Sequence, residues 1–321
     1  MYKRQDVQKP QWLGPQVAAL ADQVMVKINN AAALNAVNLL AMVLLVNDKH
    51  ALSKPKLLAQ LDFYLRLQRD ASYSDKVTAP DETPEQLLTH ALKLNKFDVI
   101  SDEFGEIIAI SDKEKTLFNY YRNNILHLFA VPSLLALHLF KQHTTTIKQC
   151  EQLVHSFYPL FAKEWYLQPL DENYITRILA NFADQNLIEF DGDNIHITNT
   201  NDCLAKLEML GRALSFTLQR YAIVIGFIQT SNGIEKAELE RESQVLADRL
   251  GTLHGIKTPE FFDKKVLVGF IDNLRGEGLV TEGDNGLVGS TQLCETYSQL
   301  KTLLPARIWQ SISDIVQDQC N

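Results

Sequence analysis

The residues best suited to chemistry lie together near the middle of the chain, where a polar run precedes a long apolar one. We call them the 120–127 cluster: Tyr120, Tyr121, Arg122, Asn123, Asn124 and His127. Its arginine could hold a phosphate or carboxylate through two parallel hydrogen bonds. Within a helix, Asn123 and His127 would share one face. The other interpretation, which we favour, is a buried polar network that joins the following apolar helix to its neighbours, because buried polar groups need partners.

A second polar segment, residues 253–263, is better explained as a turn between two helices. Gly255 is typical of a residue just past a helix end, and Thr258 with Pro259 is typical of a helix start. We therefore predict a structural role for this segment.

Motifs for known chemistries are absent from the rest of the sequence. It contains no GxxxxGK[ST] phosphate loop, no GxGxxG after a strand, no HExxH and no GxSxG. The eight histidines are scattered, and the four cysteines lie far apart without a CxxC pair, which favours reduced thiols in a cytosolic setting. We predict no catalytic residue, no cofactor and no metal site in this chain.

Composition narrows the class of protein. The chain has 321 residues, 46% of them apolar, and a net charge of −8. This length suffices for two or three compact units, and the negative charge argues against non-specific binding to nucleic acid or to an anionic membrane. Residues 1–11 are polar and no apolar stretch typical of a signal peptide follows. They are not typical of a domain start either, so we expect the chain to be part of a longer protein.

Three helical regions are expected to connect the units of the fold. Residues 1–50 are predicted to form a helical pair, at 15–28 and 31–46, and residues 201–232 one long connecting helix. Residues 116–145 are predicted to form a central apolar helix, kinked or restarted at Pro132. Its most apolar part, residues 125–140, is shorter than the roughly 20 residues of a membrane span, so we expect burial inside the protein and no clear transmembrane span.

The same unit recurs three times, at residues 51–115, 146–200 and 233–321, where the last copy also carries a C-terminal helix. Each copy has two helices and then two short extended segments around a polar turn. Thr83, Pro84 and Gln86 are typical of a capped helix start, and Asp191-Gly192 is typical of a hairpin turn. This pattern is typical of a winged helix. We predict a mainly α, multi-helical fold in which three winged-helix-like units surround the central apolar helix.

Winged helices often bind DNA, but the net charges of the predicted second helices argue against DNA binding here. None of the predicted second helices, at residues 83–98, 171–186 and 262–277, carries a net positive charge. Insertion into a DNA groove needs a basic face. We therefore expect these units to pack against protein and no nucleic acid to be bound.

Five blocks of sequence resemble the C-terminal part of bacterial membrane-bound glycerol-3-phosphate 1-O-acyltransferases, in the same order from about residue 16 to about residue 315. The blocks are INNAAALNAVNLLA (28–41), NKFDV (95–99), YYRNNILHLFAVPSLLA (120–136), LQRYAI (218–223) and LHGIKTPEFFDK (253–264). The resemblance implies transfer of a fatty acyl group from acyl-CoA or acyl-carrier protein to the sn-1 hydroxyl of glycerol 3-phosphate. That step, the first in phospholipid synthesis, is implied to occur on the cytoplasmic face of the bacterial inner membrane.

The family's catalytic motif, a histidine with an aspartate five positions later, is missing. The residues five positions after the eight histidines include no aspartate, and an FPEGxRS-like phosphate-binding block is also absent. The resemblance implies that both lie upstream, so we expect this chain to be an inactive C-terminal region. Its implied partners are the upstream acyltransferase domain, the two substrates through that domain, and the membrane surface. The alternative is a stand-alone winged-helix scaffold or regulator that binds protein or DNA.

Overall fold

The computed structural model describes residues 10–47, 49–256, 261 and 263–318. The mainly helical prediction is confirmed, with three small antiparallel sheets between the helices. The helices described are α1 (Leu13–Asn30), α2 (Ala36–Leu44), α3 (Lys54–Asp70), α4 (Pro84–Leu92), α5 (Lys115–Asn123), α6 (Ala130–Gln142), α7 (Ile147–Trp165), α8 (Tyr174–Asp184), α9 (Asn201–Arg212), α10 (Ser215–Thr230), α11 (Lys236–His254), α12 (Lys264–Gly276), α13 (Thr291–Leu303) and α14 (Ala306–Asp318). The strands are β1 (Ala51–Ser53), β2 (Asp98–Asp102), β3 (Gly105–Ala109), β4 (Thr144–Thr146), β5 (Ile188–Asp191), β6 (Asn194–Ile197), β7 (Val280–Gly283) and β8 (Gly286–Gly289).

The first two helices differ in how well their bounds were predicted. The first, α1, covers the predicted segment and extends it slightly at both ends. The second, α2, begins five residues later than predicted, because Asn35 caps it: its side chain accepts hydrogen bonds from the amides of Val37 and Asn38 at 3.0 and 3.1 Å. The Asn38 side chain in turn accepts from the Asn35 amide at 2.8 Å, which completes a reciprocal cap.

The predicted central helix is broken into two helices. Helix α5 ends at Asn123, a 3₁₀ turn occupies Leu126–Phe129, and α6 begins at Ala130, two residues before the predicted restart at Pro132. Pro132 thus lies in the first turn of α6, where its missing amide hydrogen has no intrahelical partner to lose. No single helix in the described part is both long and apolar enough to cross a membrane; Asp112–Asn123 and Leu126–Gln142 meet that criterion only as a pair bent by 65°.

The predicted connecting helix over residues 201–232 is also two helices, α9 and α10. At the break, the amides of Ala213 and Leu214 bond to the carbonyls of Leu210 and Gly211 three residues back, so the chain tightens into a 3₁₀ turn. Gly211 lies directly against α6, and a Cβ added there would be 2.9 Å from the Cα of Leu137. Close packing on α6 and the poor helix propensity of glycine together account for the break between α9 and α10.

The sheets show a repeated order that the sequence predicted only in part. In the first sheet β1 pairs with β3 and β3 with β2, and in the second β4 pairs with β6 and β6 with β5. In the third, Ile234 forms an isolated antiparallel bridge to Leu287 of β8, which pairs with β7. The hairpins and the capped start of α4 are confirmed. The leading strands β1 and β4 were not predicted, and the helix start at Thr258 lies outside the described residues.

Three helices are buried on nearly every side, and each precedes one of the repeated sheets. Every residue is buried from Asn38 to Leu44 in α2, from Ala130 to Ala136 in α6 and from Thr217 to Ile228 in α10. Each is surrounded by other helices: α2 packs on α3, α4 and α5, α6 on α7 and α9, and α10 on α11, α13 and α14.

We predict that Gly211→Ala lowers the free energy of unfolding by about 1–3 kcal/mol, because its methyl group would overlap the backbone of Leu137. The matched control is Gly269→Ala in α12, where a Cβ would meet no atom within 4 Å. That substitution should stabilise by up to about 1 kcal/mol, since alanine is the better helix former. Chemical denaturation measures both. Equal effects of the two substitutions would contradict the close approach of α6 and α9.

Candidate functional site

The 120–127 cluster is divided by the end of α5. Arg122 is buried, and its Nε and Nη2 donate to Oδ1 of Asn123 at 3.2 and 2.9 Å. Tyr120 is 66% exposed, Tyr121 is half-buried and Asn124 is exposed. His127 follows in the 3₁₀ turn, so the helical spacing that would put it on one face with Asn123 is interrupted.

His127 belongs to a different set of contacts, which connects α1 to the body of the protein. Its Nε2 is 3.0 Å from the backbone carbonyl of Asn29, the penultimate residue of α1. Because a carbonyl only accepts, Nε2 carries the proton and the neutral ring is the Nε2–H tautomer. The ring also meets Tyr73 edge-on at 5.8 Å. Burial lowers the pKa of His127, and the bond to Asn29 opposes this only in part.

The side chain of Asn29 extends these contacts to the end of α7. Its Nδ2 donates to the backbone carbonyl of Trp165, the last residue of α7, at 2.6 Å. The final carbonyls of a helix have no partner within it, so Asn29 supplies one of them with a donor. The C-terminal ends of α1 and α7 are therefore joined by a direct hydrogen bond.

Tyrosines on neighbouring elements complete this polar network. The Tyr73 hydroxyl accepts a hydrogen bond from the backbone N–H of Gln168 at 2.7 Å, and the Tyr158 hydroxyl donates one to the backbone carbonyl of Gln168 at 2.6 Å. Burial raises the pKa of Tyr73 to about 12. Tyr174 lies edge-on to Tyr73 at 6.2 Å. We name these residues, Asn29, Tyr73, His127, Tyr158, Gln168 and Tyr174, the tyrosine network. Of them, only His127 was singled out from the sequence, since the others follow no motif.

A second polar centre lies in the core between α7 and α10. Arg220 Nη2 is 2.5 Å from Oε1 of Glu164, and the Tyr221 hydroxyl donates to Oε2 of the same carboxylate at 2.6 Å. The two charged side chains are only 6% and 14% exposed. Tyr221 stacks on Phe270 of α12 with centroids 4.1 Å apart. Burial and the adjacent Glu164 charge raise the pKa of Tyr221 well above its ordinary value. Arg220 was not singled out from the sequence, although it falls in the LQRYAI block.

Two shallow clefts flank the tyrosine network, and neither is suited to an anionic substrate. One, of about 400 Å³, is lined by Asp22, Lys163 and Glu277 among others, and Lys163 already pairs with Glu277 at 3.4 Å. The other, of about 340 Å³, is lined by Glu151, Asp171 and Glu172. Both linings carry a net negative charge, which repels phosphates and carboxylates.

The histidines of the described part bond mainly to neutral groups. His138 contacts the Thr145 hydroxyl and His196 the Thr144 hydroxyl. His254 Nε2 lies 3.0 Å from the Ser311 hydroxyl, but that hydroxyl donates its proton to the Arg307 carbonyl, so the histidine is the donor and cannot activate the serine. Within the residues described, no group of three or more His, Cys, Asp or Glu side chains could hold a metal ion.

Among the described histidines, His90 most resembles a catalytic base that is oriented by a carboxylate. Its Nδ1 is 3.7 Å from Glu82, and both side chains are more than a third exposed. The pair lines neither cleft. It therefore lacks the enclosed substrate site that general-base catalysis requires.

We predict that the stability of the protein falls as pH drops below about 6.5, because His127 is neutral when folded and gains a proton more readily when unfolded. Each such histidine contributes a slope of at most about 1.4 kcal/mol per pH unit. His127→Gln can still donate to the Asn29 carbonyl and should reduce the slope. Tyr73→Phe, the control, should lower stability at every pH without changing the slope. An unchanged slope in His127→Gln, measured by denaturation between pH 5 and 8, would contradict the buried neutral histidine.

We predict that Arg220→Met destabilises the protein by about 3–5 kcal/mol, because it leaves the buried Glu164 carboxylate without its partner. The double variant Arg220→Met/Glu164→Gln should lose less, since the neutral amide still accepts from Tyr221. Arg212→Met, which breaks an exposed pair with Glu208, should cost less than about 1 kcal/mol. Unfolding free energies of the three variants test this, and a double variant no better than the single one would speak against the explanation.

Comparison with known proteins identifies the family of this chain. The family described as the glycerol-3-phosphate acyltransferase C-terminal region matches residues 2–283. A protein of Pseudoalteromonas translucida (strain TAC 125) named glycerol-3-phosphate acyltransferase is 88% identical over 315 residues, which cover 98% of this chain. The chain spans only 39% of that relative's length. With a match that extends over most of its length, the chain belongs to the family of glycerol-3-phosphate acyltransferase C-terminal regions.

Proposed function

We propose that this chain is the non-catalytic C-terminal region of an enzyme that acylates glycerol 3-phosphate at its sn-1 hydroxyl. The observation that carries the proposal is the family match over residues 2–283, supported by a relative of that name at 88% identity. The acyl donor would be acyl-CoA or acyl-carrier protein. The enzyme would act at the cytoplasmic face of the bacterial inner membrane, as the resemblance of the five sequence blocks implies.

The catalytic residues of that enzyme would lie outside this chain. Nowhere in the 321 residues is a histidine followed by an aspartate five positions later. A histidine general base on the glycerol hydroxyl needs a partner that orients it and a site that holds the substrate. The contacts of His127, His138, His196 and His254 are with neutral groups. An upstream acyltransferase domain of the same polypeptide would contain the general base and the phosphate-binding site, and would bind both substrates.

The role of this region would be to hold a fixed shape through three winged-helix units, at residues 51–115, 146–200 and 233–321. The remaining segments, at 1–50, 116–145 and 201–232, would connect them. The support is topological. In the first two units a strand that follows a buried helix is succeeded by two helices and a hairpin, and this leading strand pairs with the second hairpin strand. The bridge from Ile234 to Leu287 repeats this pairing in the third.

Contacts between the units favour a scaffold over a DNA-binding role. The second helix of the middle unit, α8, packs against α3 of the first unit. The second helix of the last unit, α12, packs against α7 of the middle one. In a winged helix that reads DNA, the second helix must be free to enter the groove. Two of the three second helices are instead used to join neighbouring units.

We predict that this chain alone transfers no acyl group from labelled acyl-CoA to glycerol 3-phosphate, whereas the polypeptide that carries its upstream part does. In that longer protein, Arg122→Ala separates the two interpretations of the 120–127 cluster. If the cluster lines the substrate site, Arg122→Ala should raise KM for glycerol 3-phosphate without changing stability. If its role is structural, Arg122→Ala should lower the unfolding temperature. Arg122→Lys, which keeps the charge, serves as the control.

Two results would contradict this proposal. Acyl transfer by the chain alone would show a catalytic site within it. Binding of the chain to duplex DNA that weakens steeply with salt would favour the stand-alone regulator, because phosphate contacts release counterions.

A further inference from the structure

Helix α1 carries its apolar side chains on the side turned away from the protein. Val17, Leu20, Val24 and Ile28 recur at the spacing of one helix face. They are 56%, 61%, 46% and 58% exposed. Trp12, which precedes the helix, is 63% exposed. We call these five residues the α1 face. A helix on the surface of a globular protein normally turns such a stripe towards the core.

The opposite side of α1 makes the contacts with the rest of the protein. Val26, Asn29 and Asn30 are half-buried, and no residue of the helix is fully buried. Asn29 donates to the Trp165 carbonyl and accepts from His127. The hydrogen bonds of Asn29 thus fix the C-terminal end of α1 with Val26 and the two asparagines turned inward. The outward orientation of the α1 face follows from these bonds.

An exposed, contiguous apolar stripe of this kind marks an interaction surface, unlike single apolar residues scattered over a surface. We infer that the α1 face is the docking surface for the upstream part of the same polypeptide, an inference that rests on the proposed function. The relative at 88% identity has more than half of its length outside the matched part. The family description names the matched part as the C-terminal region, so the additional length precedes it.

Position along the chain favours this partner. Among the helices described, α1 is the first, so it is the one closest to the upstream part in sequence. A covalently connected partner meets a nearby surface at high effective concentration, which lets a single helix face suffice for docking. Elements that are consecutive in sequence also tend to be neighbours in space.

Charge argues against a lipid surface as the occupant of the α1 face. Helices that lie on anionic membranes carry lysines and arginines along their polar side. In α1 the charged residues are Asp22 and Lys27, which balance, and the whole chain has a net charge of −8. A protein surface of matching apolar character fits this composition better.

The test compares the reactivity of cysteines placed on the α1 face. Leu20→Cys and Val24→Cys are made in this chain and in the longer polypeptide and are labelled with a maleimide, with labelled peptides quantified by mass spectrometry. Val245→Cys on α11 is the matched control, since that side chain is 57% exposed. In the longer polypeptide the two α1 cysteines should react at least about tenfold more slowly, because a packed thiol reacts only when the interface opens. The control should react equally in both proteins.

Several outcomes would overturn the inference. Equal labelling in a longer polypeptide that is active in acyl transfer would refute the docking surface and leave the proposed function intact. Protection that needs added anionic vesicles would assign the α1 face to lipid. Protection in this chain alone that increases with protein concentration would assign it to a second copy. Protection in a longer polypeptide that lacks acyl transfer activity would support the docking surface and contradict the proposed function.

Discussion

The structure depends on one constraint: three helices whose central residues are buried on every side must be kept from water. A helix of this kind cannot be covered by one neighbour, because its buried surface extends around the whole circumference. Helices α2 and α6 are each followed by a short strand, two helices and a hairpin. Helix α10 is followed by the isolated bridge at Ile234, and then by the described helices α11 and α12 and a hairpin. Those following elements cover part of each helix, and elements from elsewhere in the chain cover the rest, such as α9 on α6. The need to bury three such helices therefore fuses the repeated units into one core.

Local signals in the sequence were sufficient to predict most helices and all three hairpins. The cap at Thr83 and the Asp-Gly turn at Asp191 act within a few residues, so the sequence shows them directly. The missed features depend on distant contacts. Strands β1 and β4 have three residues each, too few for a periodic pattern, and they exist because β3 and β6 are there to pair with them. The break after α9 coincides with the contact between Gly211 and Leu137, which lies far away in sequence.

The polar residues were harder to predict for the same physical reason. Neighbours in sequence suggested one cluster from Tyr120 to His127, but α5 ends between its members, and the two parts make different contacts. His127 joins Asn29, 98 positions earlier, and Gln168 joins Tyr73 across 95 positions. Hydrogen bonds over such separations form only once the apolar helices have brought the elements together. His127 is buried and contacts Asn29, and the role of the 120–127 cluster stays a prediction.

Two sets of polar groups inside the protein are paired, whereas one helix on its surface leaves an apolar face exposed. Inside, the carboxylate of Glu164 is matched by Arg220 and Tyr221, and the tyrosine network pairs backbone groups at helix ends. Desolvation offsets much of the attraction within a buried ion pair, so removing one partner costs more than the pair contributes. Outside, the α1 face is left apolar and held in a fixed direction by Asn29 and His127. Because the orientation of α1 is already fixed in this way, little conformational entropy would be lost when a partner docks on it.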